Sequence, residues 1–223
     1  MRRSTIWVTV YAIAMAFVEA AVVVYLRQIL SPGDPAVSTP TAGVSAIPVI
    51  EAFREAATIV MLLAVGALAG GDAWERFLWF SCAFGLWDIF YYVWLRVLIG
   101  WPGSVLSWDV LFLIPVPWTA PVLAPVIISV GLVLGSLWLL HLKGKGAVLR
   151  FAPWLWALTI LGGAIVLLSF LLDYRLAVQG VEPPVFHWFV FAAGVSVALL
   201  ALVIGVRRLE WGRNPAFPPR VRS

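Results

Sequence analysis

Long apolar runs separated by short polar segments dominate this sequence. Each of six runs has about 20 residues, the length that an α-helix needs to cross the hydrocarbon core of a bilayer. The pattern predicts an all-α, polytopic membrane bundle of about six transmembrane helices, near 6–26, 48–69, 77–99, 119–142, 151–172 and 185–206. We expect one transmembrane domain over 1–206, and a basic, disordered cytoplasmic tail over 207–223 near anionic lipid.

The first run is predicted to be a retained helix and not a cleaved signal peptide. It is longer than the apolar region of a signal peptide, contains Glu19, and ends in YLRQIL without a small-residue cleavage site. The following segment, 28–47, is rich in Pro, Gly, Ser and Thr, which is typical of a loop. Pro48 then suits the first turn of the second helix.

The segment between the third and fourth helices departs from the pattern. Residues 100–118 are amphipathic, and four prolines fall within eleven residues: Pro115, Pro117, Pro121 and Pro125. Proline removes a backbone donor and breaks a helix. Non-helical backbone is tolerated at membrane depth only where protein or a water-filled cavity covers it. We therefore predict a re-entrant or interfacial segment at the outer face that covers a polar interior.

Composition and charge support a membrane protein. Hydrophobic residues make up 63% of the chain and charged residues 12%, whereas soluble domains average about 25% charged residues. The formal charge is +4, but the basic residues lie between and beyond the apolar runs, so no nucleic-acid partner is predicted. The lone cysteine, Cys82, excludes an intrachain disulfide.

The basic residues also predict an orientation. If the loops alternate from a cytoplasmic N-terminus, only Arg27, Arg96 and Arg175 fall outside. Eleven fall inside: Arg2, Arg3, Arg76, Lys143, Lys145, Arg150, Arg207, Arg208, Arg213, Arg220 and Arg222. This asymmetry follows the positive-inside rule. We predict a multi-pass protein of the cell (inner) membrane with both termini in the cytoplasm.

Acidic residues within the apolar runs predict a site. Glu19, Glu51 and Glu55 lie in the outer halves of the first two helices, and Asp88 lies near the middle of the third. A carboxylate at membrane depth normally turns toward the protein interior, so we expect these four acids to converge. The inner halves of the helices are nearly free of ionisable groups, which indicates an acidic cavity that faces outward.

Five further residues are expected to support this site: Arg54, Tyr91, Tyr92, Asp109 and His187. Tyr91 and Tyr92 follow Asp88 at i+3 and i+4, which brings their hydroxyls within its reach. Arg54 is rotated by about 60–100° from Glu51 and Glu55 on an ideal helix, so we expect that it does not fully neutralise either. Protonation, an inward-folded Arg27, Arg96 or Arg175, or a bound cation would balance the remaining charge.

Several chemistries are excluded or left open by motif. The sequence has no HExxH, CxxC, CxxCH, Walker or GxSxG pattern. Without a Walker pattern, no nucleotide is expected as cofactor. His141 and His187 are predicted at opposite sides of the membrane, so haem bound by two histidines is not expected either. A divalent metal remains a candidate because carboxylates suit Mg²⁺, Mn²⁺ or Ca²⁺. The segment EAFREAAT, 51–58, resembles the first motif of the CPBP-type intramembrane proteases, but the chain lacks the later histidines of that family in the required arrangement.

Three classes of function remain open. The first is binding or transport of a cation, a metal or an amine-bearing small molecule in the acidic cavity. The second is a metal-dependent intramembrane enzyme acting on a lipid-linked or periplasmic substrate, although no motif marks a nucleophile. The third is a structural or assembly subunit, in which the acids form internal ion pairs. The lipid bilayer is a partner in all three.

Two small-residue patterns predict close helix packing. Gly66 and Gly70 form one GxxxG pattern, and Gly131 and Gly135 form another. Such faces allow helices to approach within a chain or between copies of it. Oligomerisation through these faces is therefore a further hypothesis.

Overall fold

The computed structural model describes residues 2–30, 47–114, 116–179, 181 and 183–211. In this part of the chain, seven helices and four short strands follow in the order α1 (Arg2–Leu30), α2 (Ile47–Ala69), α3 (Ala73–Ile99), β1 (Trp108–Phe112), β2 (Trp118–Pro121), α4 (Leu123–Gly144), β3 (Ala147–Val148), α5 (Pro153–Leu171), α6 (Tyr174–Val178), α7 (Trp188–Arg207) and β4 (Glu210–Trp211).

Six of the described helices are long and apolar enough to cross a membrane, namely all except the five-residue α6. The predicted all-α polytopic bundle is confirmed. Large apolar side chains cover its exterior: Phe189 is 94% and Leu68 87% exposed. Exposed apolar surface of this extent is lipid-facing in a bundle of spanning helices. The chain is therefore a multi-pass membrane protein in contact with the bilayer.

Helix α3 is the centre of the bundle, and it packs against α1, α2 and α4. Asp72 caps its N-terminus by accepting a hydrogen bond of 3.0 Å from the Glu75 amide. A hydrogen bond from Lys143 holds the pKa of Asp72 below its usual value. At the other end, Gly100 has φ = 71°, a left-handed conformation that glycine adopts without steric cost.

Glycines allow close contacts between helices. A Cβ on Gly66 would lie 2.7 Å from the Phe80 backbone nitrogen, so this position fixes α2 against α3. A Cβ on Gly162 would lie 2.7 Å from the Ala198 nitrogen, and one on Gly194 would lie 2.7 Å from the Val166 nitrogen. Helices α5 and α7 therefore pack backbone to backbone, while α1 to α4 form the other part of the bundle.

The segment between α3 and α4 is a β-hairpin. Strands β1 and β2 pair antiparallel, from Trp108 opposite Pro121 to Phe112 opposite Trp118, with an irregularity between Val110 and Phe112. Pro121 ends strand β2, and α4 begins at Leu123, four residues later than predicted, with Pro125 in its first turn. The re-entrant or interfacial position of this segment stays a prediction.

The C-terminal tail was expected to be disordered, but its residues 210 and 211 form strand β4. Strand β4 pairs antiparallel with β3, so Glu210 lies opposite Val148 and Trp211 opposite Ala147. The reason is that these two residues satisfy the backbone groups of the short connection between α4 and α5. The remainder of the tail, 212–223, and most of the predicted loop, 31–46, lie outside the described residues.

Candidate functional site

Glu19 and Glu51 share Arg54 in a buried ion-pair network. The Arg54 guanidinium forms salt bridges with both carboxylates, and its Nε donates a hydrogen bond of 2.9 Å to Glu51 Oε1. Thr58 Oγ1 donates to Glu19 Oε1, and Glu19 is only 3% exposed. Arg54 reaches Glu51 despite the expected rotation between them, because residues three apart are neighbours on a helix and the arginine side chain is long enough to turn back.

Glu55 contacts the hairpin and not a second carboxylate. Both of its oxygens accept hydrogen bonds from the Leu113 amide, at 3.1 and 3.0 Å. This amide directly follows strand β1, so Glu55 ties α2 to the hairpin. Glu55 is 8% exposed, and its backbone partner supplies a donor without supplying a charge.

Asp88 faces α4 from the middle of α3. Ser129 Oγ donates a hydrogen bond of 2.8 Å to Asp88 Oδ2. Within the described residues Oδ1 makes no hydrogen bond, and no cation forms a salt bridge with Asp88. The side chain is 9% exposed, which makes it a nearly buried carboxylate with one neutral partner.

Asp109 belongs to a separate polar cluster beneath the hairpin. Its Oδ2 accepts a hydrogen bond of 3.1 Å from Tyr92 Oη, and its Oδ1 lies 3.7 Å from Arg27 Nη2. Arg27 in turn stacks on Trp101, 4.2 Å from the ring centroid. Burial raises the pKa of Asp109 to about 6, although Arg27 and Tyr92 oppose the rise.

The three arginines considered as inward-folded partners of the four acids have other partners in the structure. Arg27 pairs with Asp109, and Arg96 donates to the carbonyl oxygens of Gly100 and Pro102. Arg175 contacts Tyr174.

The other predicted supporting residues divide between two places. Tyr91 packs against Trp87 and Tyr92, with ring centroids at 6.3 and 5.1 Å. His187 Nε2 lies 3.0 Å from Asp173 Oδ2, between the end of α5 and the start of α7. His187 thus has its own acidic partner. That Glu19, Glu51, Glu55 and Asp88 act as one site stays a prediction.

A metal centre gains no support from this arrangement. Among residues 2–30, 47–114, 116–179, 181 and 183–211, no three His, Cys, Asp or Glu side chains lie close enough together to hold a metal ion. A hard divalent cation needs several oxygen ligands around one point. The observed acids are divided among Arg54, Leu113, Ser129 and Arg27 instead.

A cleft of about 550 Å³ lies between the α3–α4 side of the bundle and the α5–α7 pair. This volume is within the range of about 300–1,000 Å³ that is usual for small-molecule sites. Its wall is mostly aliphatic and aromatic, and Asp88 is the one ionisable residue among the described lining residues. Ser81, Ser129, Ser136 and Thr159 are hydroxyl-bearing lining residues.

Three glycines leave the middle of this cleft open. Gly131 and Gly135 on α4 and Gly163 on α5 all line it. A Cβ on Gly131 or Gly163 would meet no heavy atom within 4 Å, and one on Gly135 would meet only Leu202, at 3.9 Å. The Gly131–Gly135 pattern therefore borders empty space here, whereas the Gly66–Gly70 pattern packs within the chain against α3.

Sequence reasoning missed the cleft. It identified Asp88 as a site residue and Gly131 and Gly135 as a small-residue face, but it did not place them in one site. Two features could have suggested a cleft: Asp88 has no arginine on its own helix face, and small residues follow on a later helix.

Comparison of the chain with protein-family models, with curated proteins and with solved structures finds no match. The candidate site is therefore interpreted from its own geometry.

Proposed function

We propose that this membrane protein binds an amine-bearing amphiphile in the cleft, with the Asp88 carboxylate as counter-ion to the amine. The single observation that carries the proposal is Asp88 itself: it lines an apolar cleft, is 9% exposed, and has the Ser129 hydroxyl as its hydrogen-bonding partner. This is the amine branch of the function expected from the sequence, assigned to Asp88 and not to four acids together.

Charge favours an amine over the other ligand classes. An unpaired carboxylate within a bilayer costs several kcal/mol, and a cation placed next to it recovers part of that cost. A bare metal ion would find one carboxylate and a few hydroxyls on this wall, too few hard ligands for Mg²⁺ or Ca²⁺. A protonated amine needs only one carboxylate and one or two hydroxyl acceptors.

The apolar wall favours a ligand with a large hydrophobic body. Phe84, Leu132 and Val166 line the cleft around the level of Asp88. Ligand sites commonly combine such walls with a few polar groups that fix orientation. An amphiphilic amine satisfies both parts of the site.

Thermal unfolding of the purified protein with hexadecylamine tests the proposal. We expect hexadecylamine to raise the unfolding temperature, and hexadecanol and palmitate to raise it less, because neither is a cation. Asp88→Asn keeps the shape and the Ser129 contact but should abolish the advantage of the amine.

A matched control is Asp173→Asn, which removes a carboxylate that pairs with His187 outside the cleft. This variant should respond to hexadecylamine like the unaltered protein. If Asp88→Asn retains the full amine response, or if the alcohol stabilises as strongly as the amine, the proposal is wrong.

A structural role is the second candidate, for the Glu19–Arg54–Glu51 network alone. Its favouring observation is that Arg54 contacts both carboxylates, which joins α1 to α2 without a ligand. Replacing Glu19 and Glu51 together by Gln separates the two candidates. A structural network predicts lower stability with unchanged amine binding, whereas loss of amine binding in a folded double variant would place these acids in the ligand site.

A further inference from the structure

We infer that the ligand is a single-chain lipid amine that lays its chain along the glycine-lined middle of the cleft. This inference rests on the proposed function, because Asp88 fixes the position of the amine. It adds the shape of the hydrophobic body and the position of the chain end.

The length of the cleft indicates a long chain. Asp88 and Trp74 both line it and lie fourteen residues apart on α3. At a rise of 1.5 Å per residue this separation is about 21 Å, close to two-thirds of the thickness of the hydrocarbon core. A compact amine would fill only the part next to Asp88.

The middle of the cleft is open to a hydrocarbon chain. Gly131 and Gly163 project no side chain into its middle, and a Cβ on either would have no neighbour within 4 Å. The serine and threonine side chains on the same wall are small. The second observation that points to a ligand here is the carboxylate of Asp88, more than nine-tenths buried and facing this space without a cationic partner.

Aromatic contacts join the two sides of the cleft at the Trp74 end. Trp74 of α3 stacks on Trp156 of α5, with ring centroids at 5.4 Å, and contacts Phe151 at 5.1 Å. All three residues line the cleft, so a chain that starts at Asp88 would end against these rings.

Photo-crosslinking in nanodiscs tests both parts of the inference. The probes are two hexadecylamine analogues, one with a diazirine next to the amine and one with a diazirine at the chain end. We expect the first to label residues around Asp88 and Ser129, and the second to label residues near Trp74 and Trp156. Excess hexadecylamine should suppress both, and hexylamine should suppress neither at the same membrane concentration.

Two cleft-filling variants extend the test. Gly131→Leu and Gly163→Leu place a side chain into open space, so we expect a folded protein with at least tenfold less chain-end labelling. If a variant does not fold, the labelling positions in the unaltered protein still decide the matter. Labelling confined to lipid-facing residues such as Phe189 and Leu68 would overturn the inference.

Failure of this inference is distinguishable from failure of the proposed function. If amine binding depends on Asp88 but hexylamine competes as well as hexadecylamine, the long chain is wrong and the counter-ion role stands. If labelling is the same in Asp88→Asn, the proposed function itself is wrong.

Discussion

The phenol of Tyr92 donates a hydrogen bond of 3.1 Å to Oδ2 of Asp109, and this contact joins the central helix α3 to strand β1. Arg27 lies on the other side of the same carboxylate, with Nη2 at 3.7 Å from Oδ1. The hairpin is thus held to α1 and α3 through one buried acid. Because that acid titrates, the attachment depends on pH.

Asp109 should make stability fall as pH rises from about 4 to about 6. Burial raises its folded pKa to about 6, above the value of about 3.9 in an unfolded chain. Between these values the unfolded chain has lost a proton that the folded protein retains, so unfolding becomes more favourable with increasing pH. Above about pH 6 both states are ionised and the effect is constant.

Thermal unfolding of Asp109→Asn across this pH range measures the effect. Asparagine does not titrate, so the variant should lose the Asp109 part of the slope. Curves for Asp109→Asn and the unaltered protein that run parallel from pH 4 to pH 6 would contradict the assignment.

Removing Arg54 alone should be far more harmful than removing its ion pair. Arg54→Met leaves Glu19, which is 3% exposed, buried beside Glu51 without a cation. Breaking a buried pair in this way costs about 3–5 kcal/mol. The double variant Arg54→Met with Glu19→Gln removes the more deeply buried of the two carboxylates that lose their cation, while Glu51 keeps its charge, so we expect recovery of part of that loss.

Chemical or thermal unfolding of the single and double variants in detergent gives both values. Equal stability of the two variants would show that the Glu19–Arg54 pair does not contribute to folding in the manner described. Glu19→Gln alone completes the cycle and gives the coupling between the two positions.

Glycines that look alike in the sequence should respond oppositely to alanine. Gly162→Ala would place a Cβ 2.7 Å from the Ala198 backbone nitrogen, which forces α5 and α7 apart. Overpacking of this kind costs about 1–3 kcal/mol. Gly131→Ala meets no neighbouring atom and should be neutral or slightly stabilising, because alanine favours a helix.

Unfolding temperatures of these two variants check the contrast. Gly163→Ala is the matched control for Gly162→Ala, since it lies on the same helix but its Cβ would meet open space, as at Gly131. Similar destabilisation at 162 and 163 would mean that α5 and α7 are not packed backbone to backbone.

Orientation in the membrane can be tested by cysteine labelling. The single native cysteine, Cys82, is buried, so Cys82→Ser gives a background with no native thiol. Lys145 and Ser104 are both exposed in the connections that follow α4 and α3. The positive-inside rule predicts that a cysteine at 145 reacts from the cytoplasm and one at 104 reacts from outside. The reverse labelling pattern would show that the predicted orientation in the membrane is wrong.

The helices could be predicted from sequence because bilayer thickness sets their length and apolar composition sets their position. The predicted boundaries of the third helix, 77–99, share its end with α3, and the start differs by four residues because Asp72 caps an earlier turn. The hairpin was not predicted, since its Trp and Pro residues are compatible with any non-helical backbone.

The burial of the acids could be predicted from the sequence, but the residues that pair with them could not. Composition alone requires that Glu19, Glu51, Glu55 and Asp88 turn inward, whereas their partners depend on side-chain reach. Arg54 reaches two of them. Glu55 binds a backbone amide that is 58 positions away in the chain, and the sequence contains no signal for such a contact.

The reciprocal fit of Gly162 and Gly194 has a mechanical consequence. An added Cβ at either position would lie 2.7–2.8 Å from backbone atoms of the facing helix, so α5 and α7 have no room for a side chain between them there. Contact between this pair and α3 is instead made through aromatic rings, such as Trp74 against Trp156. We therefore expect a bulkier ligand to widen the cleft by moving the α5–α7 pair as a unit relative to α3 and α4. This movement would come before any change in the packing between α5 and α7.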